Sequence, residues 1–155
     1  MCGIVGSTGF TSEKIIKKMC RTLRHRGPDS EGYYIDENIS LGMGRLKIID
    51  LKSKIYLPFQ HDHFLLCYNG EIYNFRDLQK SILDPKGFKN TSNSDTETIL
   101  AGYEIYGTDI FAILNGIFTI AIYKKSDKQL VLARDPFGVK PLYYYCKNGE
   151  LFFSS

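Results

Sequence analysis

The chain has no tryptophan, only five prolines in 155 residues, and four cysteines too scattered to form a C-x-x-C pair. Cys2, Cys20, Cys67 and Cys146 therefore support neither a zinc ribbon nor a dithiol redox centre. No apolar run approaches the roughly 18 residues of a membrane-spanning helix. The first residues also lack the basic stretch and apolar segment of a secretion signal. Net charge is only +3, with Lys14, Lys17 and Lys18 on one solvated helix face and no long basic run, so a nucleic-acid groove is not indicated. Tyr143-Tyr144-Tyr145 is better explained as strand packing than as a base-stacking platform. His61 and His63 have no third ligand beside them and fall short of a metal site. Repeats and low-complexity segments are missing too. The expectation is a cytoplasmic protein in a reducing compartment, with neither membrane nor nucleic acid as partner; its oligomeric state is open.

What is present suits a folded domain. Hydrophobic residues make up 43% and aromatics 14% of the chain, enough for one buried core over residues 1–155. Residues 2–6 form a short apolar strand. Ile15, Ile16, Met19, Cys20 and Leu23 recur at helical spacing behind a Thr11 or Ser12 cap and stop at Arg24-His25-Arg26-Gly27-Pro28-Asp29. Strands are expected near 32–35 and 39–49. A further apolar run over 64–68 leads into Asn69-Gly70, a dipeptide that favours a tight turn with positive φ. A helix is predicted after Asn74 with Phe75, Leu78 and Ile82 on one face, then a loop over 84–93. Ser94-Asp95-Thr96-Glu97 has the capping-box pattern ahead of Ile99, Leu100 and Tyr103. Beyond Gly116 the period becomes that of strands, over 117–123, 129–134, 142–146 and 151–154, joined by connections too short for parallel neighbours. Strands at both ends with helices between them indicate an α+β fold of stacked antiparallel sheets covered by helices.

The chemistry begins at Cys2. Excision of Met1, favoured by a small second residue, leaves one amino acid bearing both a thiol and a free α-amine. With ordinary pKa values of roughly 7.7–8.0 for the amine and roughly 8.5 for the thiol, the two can serve as base and nucleophile near neutral pH. Acyl transfer also needs donors for the oxyanion. An Asn69 side-chain amide and a Gly70 backbone N–H offer a pair, glycine allowing close approach. Taken alone, Asn69-Gly70 could equally be a hairpin turn, Asp95 a helix cap, Arg45 a surface ion pair and Cys2 a small inert hydrophobe.

These residues stand in an ordered set: Met1-Cys2-Gly3-Ile4-Val5-Gly6, Arg24-His25-Arg26-Gly27-Pro28-Asp29, Gly44-Arg45-Leu46, Asn69-Gly70-Glu71-Ile72-Tyr73-Asn74, Ser94-Asp95-Thr96-Glu97 and Arg134-Asp135-Pro136-Phe137-Gly138 continuing to Tyr143. The set resembles the N-terminal glutaminase domain of class II glutamine amidotransferases, and most closely that of asparagine synthetases. The resemblance implies an N-terminal nucleophile hydrolase αββα sandwich. The domain it describes hydrolyses L-glutamine to glutamate through a Cys2 thioester and passes ammonia to a synthetase domain. No cofactor is implied for that step, ATP and magnesium belonging to the synthetase domain, which is not found in this chain. Cys2, Asn69 and Gly70 take the catalytic positions. Free glutamine carries a carboxylate and an ammonium: Arg45 matches the family's carboxylate-binding arginine and Asp95 its amine-binding aspartate. Glu71 is placed beside Asn69, and Arg26 over the nucleophile as support. Arg134-Asp135-Pro136-Phe137-Gly138 is assigned a structural turn. Two departures stand out, Met43 where many relatives carry histidine and a segment 52–59 without the usual Gly-Gly-His-Gln-Pro run. The alternative is a catalytically silent relative that binds glutamine or docks on a synthetase.

Overall fold

The computed structural model describes residues 1–46, 56–88 and 94–155. In chain order its elements are β1 (Gly3–Thr8), α1 (Glu13–Thr22), β2 (Ser30–Ile35), β3 (Ile39–Arg45), β4 (Phe59–His61), β5 (Phe64–Ile72), α2 (Phe75–Leu78), α3 (Asp95–Tyr106), α4 (Ile110–Ile113), β6 (Gly116–Lys124), β7 (Gln129–Arg134), β8 (Tyr143–Lys147) and β9 (Glu150–Ser154). Two antiparallel sheets result, a five-stranded one in the order β2-β3-β1-β9-β8 and a four-stranded one in the order β4-β5-β6-β7. The expected α+β class holds, with the last strand, β9, hydrogen-bonded to the first.

Side-chain alternation explains the layers. On β1, Ile4 enters the core between the sheets with Ile39, Leu41 and Met43 of β3, while Val5 turns outward against Ile16 and Cys20 of α1. On β5, Leu65 and Cys67 meet the first sheet together with Ala121 and Tyr123 of β6, whereas Leu66, Tyr68 and Ile72 face Ile99, Leu100 and Tyr103 of α3. Each fully buried aliphatic side chain contributes about 1.5–3 kcal/mol of burial free energy, and the inter-sheet layer is what locks the two sheets together. Met43, the departure from the family pattern, is buried in that layer. Among the described residues no helix is long and apolar enough to cross a membrane.

Ser12 caps α1 by accepting the Ile15 N–H at 3.4 Å. Ile15 itself is 39% exposed, so the helix buries a narrower face than the spacing predicts. The helix after Asn74 is one α turn that continues as a π turn over Gln79–Leu83 and a 3-10 turn over Asp84–Lys86. The predicted loop over 84–93 is thus partly helical, and residues 89–93 lie outside the described residues. So do residues 47–49 of the expected strand and residues 52–55 of the altered segment.

Arg134-Asp135-Pro136-Phe137-Gly138 serves as the structural turn expected of it. The buried Asp135 carboxylate accepts the backbone N–H groups of Phe118 at 3.2 Å, Val139 at 2.9 Å and Lys140 at 2.9 Å. Burial pushes its carboxyl up, but the N–H bonds from Lys140, Val139, Phe118 and Phe137 prevail and hold it below the usual carboxylate range. Asp135→Ala strands these donors and is expected to cost about 3 kcal/mol, read from the urea midpoint. Because the folded value is depressed, this stabilisation is present above the unfolded carboxylate value of about 4 and is lost as pH falls through the folded one. The variant's stability curve is correspondingly flatter in acid.

Candidate active site

Strand parity places most of the candidate residues on the inner faces of the two sheets. Cys2 lies two residues before Ile4, shares its inner face and packs half-buried against the inter-sheet core. Arg45 follows Ile39, Leu41 and Met43 on the inner face of β3. Since Gly3 pairs with Gly44, one further step sets Cys2 across from Arg45. On β5, Asn69 and Glu71 continue the inner face of Leu65 and Cys67.

Asn69-Gly70 is not a turn. Both residues lie inside β5, paired with Thr119 and Phe118 of β6, and neither has positive φ. The hairpin that starts β5 is instead at Asp62, whose φ is 47°. Local propensity was overridden because the nine residues of β5 find an equally long partner in β6. Glycine is required at position 70 for a different reason: an added Cβ would lie 2.2 Å from the Ile117 carbonyl oxygen. The register also fixes where the backbone points. Phe118 uses its own N–H and C=O on Asp135, on the β7 side, so Gly70 opposite it is a non-hydrogen-bonded partner. The Gly70 N–H therefore points away from β6, in the same direction as the Ile72 N–H, past the short strand β4. The Asn69 side chain is 1% exposed, and its Nδ2 has no hydrogen-bond partner among the described residues. A buried amide donor left unmade costs about 1–3 kcal/mol, so this group is open to an acceptor beyond the described residues.

Asp95 opens α3, and Ser94 rather than Asp95 is the cap, accepting the Thr96 N–H at 3.2 Å. The Asp95 carboxylate turns back to β5, where it accepts the Tyr68 phenol at 2.6 Å and the Ile72 N–H at 3.1 Å. Burial raises the Asp95 carboxyl, offset in part by these bonds, and burial followed by the Asp95 charge raises Glu71. Neither carboxylate takes part in an ion pair among the described residues. The Tyr68 phenol is driven far up by burial, then by Asp95, then by Glu71 and last by Cys2, which sets the nucleophile candidate within electrostatic reach of that phenol.

The loop after α1 closes over the same end. A Cβ on Gly27 would lie 2.3 Å from the Gly44 carbonyl, and the Asp29 N–H donates to Arg45 O at 3.1 Å. That crossing carries Arg26, whose Nε is buried without a partner among the described residues. Cys20 and Cys67 are buried and burial raises both thiols, Cys20 to about 11, which leaves them unreactive. Sequence reasoning missed Tyr68 and Lys140. Tyr68 adjoins Asn69, but only the fold shows that its hydroxyl meets Asp95; Lys140 lies two residues past the segment assigned a structural turn.

Residues 1–155 match the glutamine amidotransferase domain family throughout. The chain is 40% identical over 163 residues to asparagine synthetase (glutamine-hydrolyzing) 1 of Bacillus subtilis, covering 100% of this chain and 26% of that protein. It is 35% identical over 178 residues to putative asparagine synthetase (glutamine-hydrolyzing) 2 of Methanocaldococcus jannaschii, covering 100% of this chain and 34% of that protein. The chain thus spans about a quarter to a third of the length of these two relatives. A nucleophile candidate at the start of β1, an unmade amide donor opposite it and this match over the full length place the chain in the glutamine amidotransferase domain family.

Proposed function

We propose that this domain, once Met1 is removed, hydrolyses L-glutamine to L-glutamate and ammonia through a thioester on Cys2. Met1 is 54% exposed, so its removal meets no steric barrier. In the first step the Cys2 sulfur attacks the side-chain amide carbon of glutamine while the α-amine takes the thiol proton. The carbonyl oxygen, now anionic, receives hydrogen bonds from Asn69 Nδ2 and the Gly70 N–H. The C–N bond then breaks, the proton held by the amine leaves with ammonia, and a thioester remains. Water, deprotonated by the same amine, attacks the thioester and returns the thiol with glutamate. Arg45 holds the substrate carboxylate, Asp95 and Glu71 hold its ammonium, and Arg26 covers the nucleophile.

The unmade Asn69 amide on the inner face of β5, with Cys2 packed against the same inter-sheet core, carries this conclusion. The reaction needs no cofactor in this domain. Its ammonia goes to a synthetase domain or subunit using ATP and magnesium, as the family resemblance implies; the names of the relatives join glutamine hydrolysis to an asparagine synthetase. The test starts from chain shown by intact mass to have lost Met1. Equimolar glutamate and ammonia from free glutamine, with none from glutamine inside a peptide, is the expected result. No ammonia from Met1-free chain overturns the proposal.

The acidic pair gives a second expectation. Carboxylates raised by burial, and at Glu71 also by the Asp95 charge, bind a cation better once ionised, so KM for glutamine falls as pH rises through their raised values. Asp95→Asn is expected to increase KM about 100-fold, leave kcat closer to wild type and remove most of that pH dependence.

A further inference from the structure

Lys140 is only 9% exposed, yet it forms no ion pair among the described residues. Its ammonium donates to the Met1 sulfur at 3.1 Å, a weak acceptor for a buried cation. The backbone on either side of that ammonium is fixed with unusual care. The Lys140 N–H is held by Asp135 Oδ2 at 2.9 Å, and its carbonyl accepts the hydroxyl of the fully buried Thr119 at 3.0 Å. Thr119 is the β6 residue paired with Asn69. One hydrogen-bonded chain therefore runs from the oxyanion strand through Lys140 to the terminus.

We propose that Lys140 is an electrostatic positioning residue whose buried charge, uncovered when Met1 leaves, keeps the Cys2 α-amine neutral and favours the thiolate. This rests on the glutaminase reading for its consequence in turnover, but not for the charge effect itself. A cation beside an amine disfavours the protonated form and lowers its pKa, and the same cation stabilises a neighbouring thiolate. The groups that surround Cys2 pull in both directions. Arg26 and Arg45 add positive charge from the loop and from β3, whereas Glu71 on β5 and Asp95 on α3 oppose it; the Tyr68 phenol, driven far up, stays neutral. Asp135 spends its charge on the backbone N–H groups of its own turn. Without Lys140 the acidic pair would raise the amine and cost the cycle its base at neutral pH.

The experiment uses Met1-free chain carrying Cys146→Ser, which removes the exposed thiol and leaves Cys2 as the accessible one. Wild type, Lys140→Met and Lys140→Arg are compared in the pH profile of kcat/KM for glutamine and, independently, in the pH profile of Cys2 alkylation by iodoacetamide. Lys140→Met is expected to move the acid limb of both profiles up by about one unit, so that activity one unit below the limb falls about tenfold, with KM little changed. Lys140→Arg is expected to restore the wild-type profile. Coincident profiles, or a rise in KM alone, overturn the proposal and leave the glutaminase assignment standing. If wild type releases no ammonia, that assignment fails, and the alkylation profiles alone decide for or against Lys140. If Lys140→Met does not fold, Lys140→Gln takes its place and the amine is titrated in both forms by ¹⁵N NMR: a wild-type pKa about one unit below that of the variant supports the proposal and equal values overturn it.

Discussion

Cys2→Ala is expected to abolish ammonia release, a loss of about 10⁴-fold or more, while glutamine still raises the melting temperature. The size follows from what the substitution removes. The sulfur is the only atom at the site that can form the thioester, since Cys20 and Cys67 are buried with raised thiol values and Cys146 stands exposed on β8, in the edge position of its sheet. Binding, in the proposed mechanism, rests instead on Arg45, Glu71 and Asp95, which the substitution does not touch. The two readouts together separate a glutaminase from a catalytically silent glutamine-binding relative. A silent relative shows ligand stabilisation and no turnover in either form, so turnover in wild type that vanishes in Cys2→Ala is decisive. Turnover that survives the substitution would sink the proposed mechanism.

Asn69→Ala is expected to lower kcat by about 10²–10³-fold, equivalent to about 2.7–4 kcal/mol of transition-state stabilisation, with little change in KM. The amide donates to none of the described residues, so its removal breaks no bond to them that it makes as a donor. Stability therefore changes little, apart from the small void left in a strand whose backbone ladder to β6 persists. The donor matters only when the carbonyl oxygen becomes an anion, and that is why the loss falls on kcat. An equal loss in KM and kcat, or a variant that fails to fold, would show instead that Asn69 is a packing residue. Steady-state kinetics on the folded variant distinguishes these outcomes.

How far the primary structure carried differs from element to element. The helix opening at Asp95 was legible because Ser94 caps it through a bond two residues away, which local chemistry sets. The strands from Gly116 onward were legible for the same reason, alternation and short connections being local. The Asn69-Gly70 pair was misread. Its local preference for a turn is genuine, but a hairpin already formed at Asp62 and the long pairing with β6 outweigh it. The π turn at Gln79–Leu83 was not foreseen either, since nothing in the spacing of Phe75, Leu78 and Ile82 distinguishes it from an ordinary helix. Asp95 was singled out on sequence, but its grip on Tyr68 and the Ile72 N–H joins α3 to β5 across a sequence separation of 27 and 23 residues and has no local signature.

By itself the amino-acid order determined the α+β class, the position of the thiol beside a terminus that processing can free, and the family motifs, because each depends on residues close together in the chain. Tertiary structure alone decided that β5 runs straight through Asn69-Gly70 with an amide donor unmade, that two carboxylates share a desolvated corner, and that Lys140 ends at the terminus. These are contacts between distant segments, settled by sheet order and strand register. A shift of one residue in the β5 register would turn Asn69 and Glu71 to the opposite face.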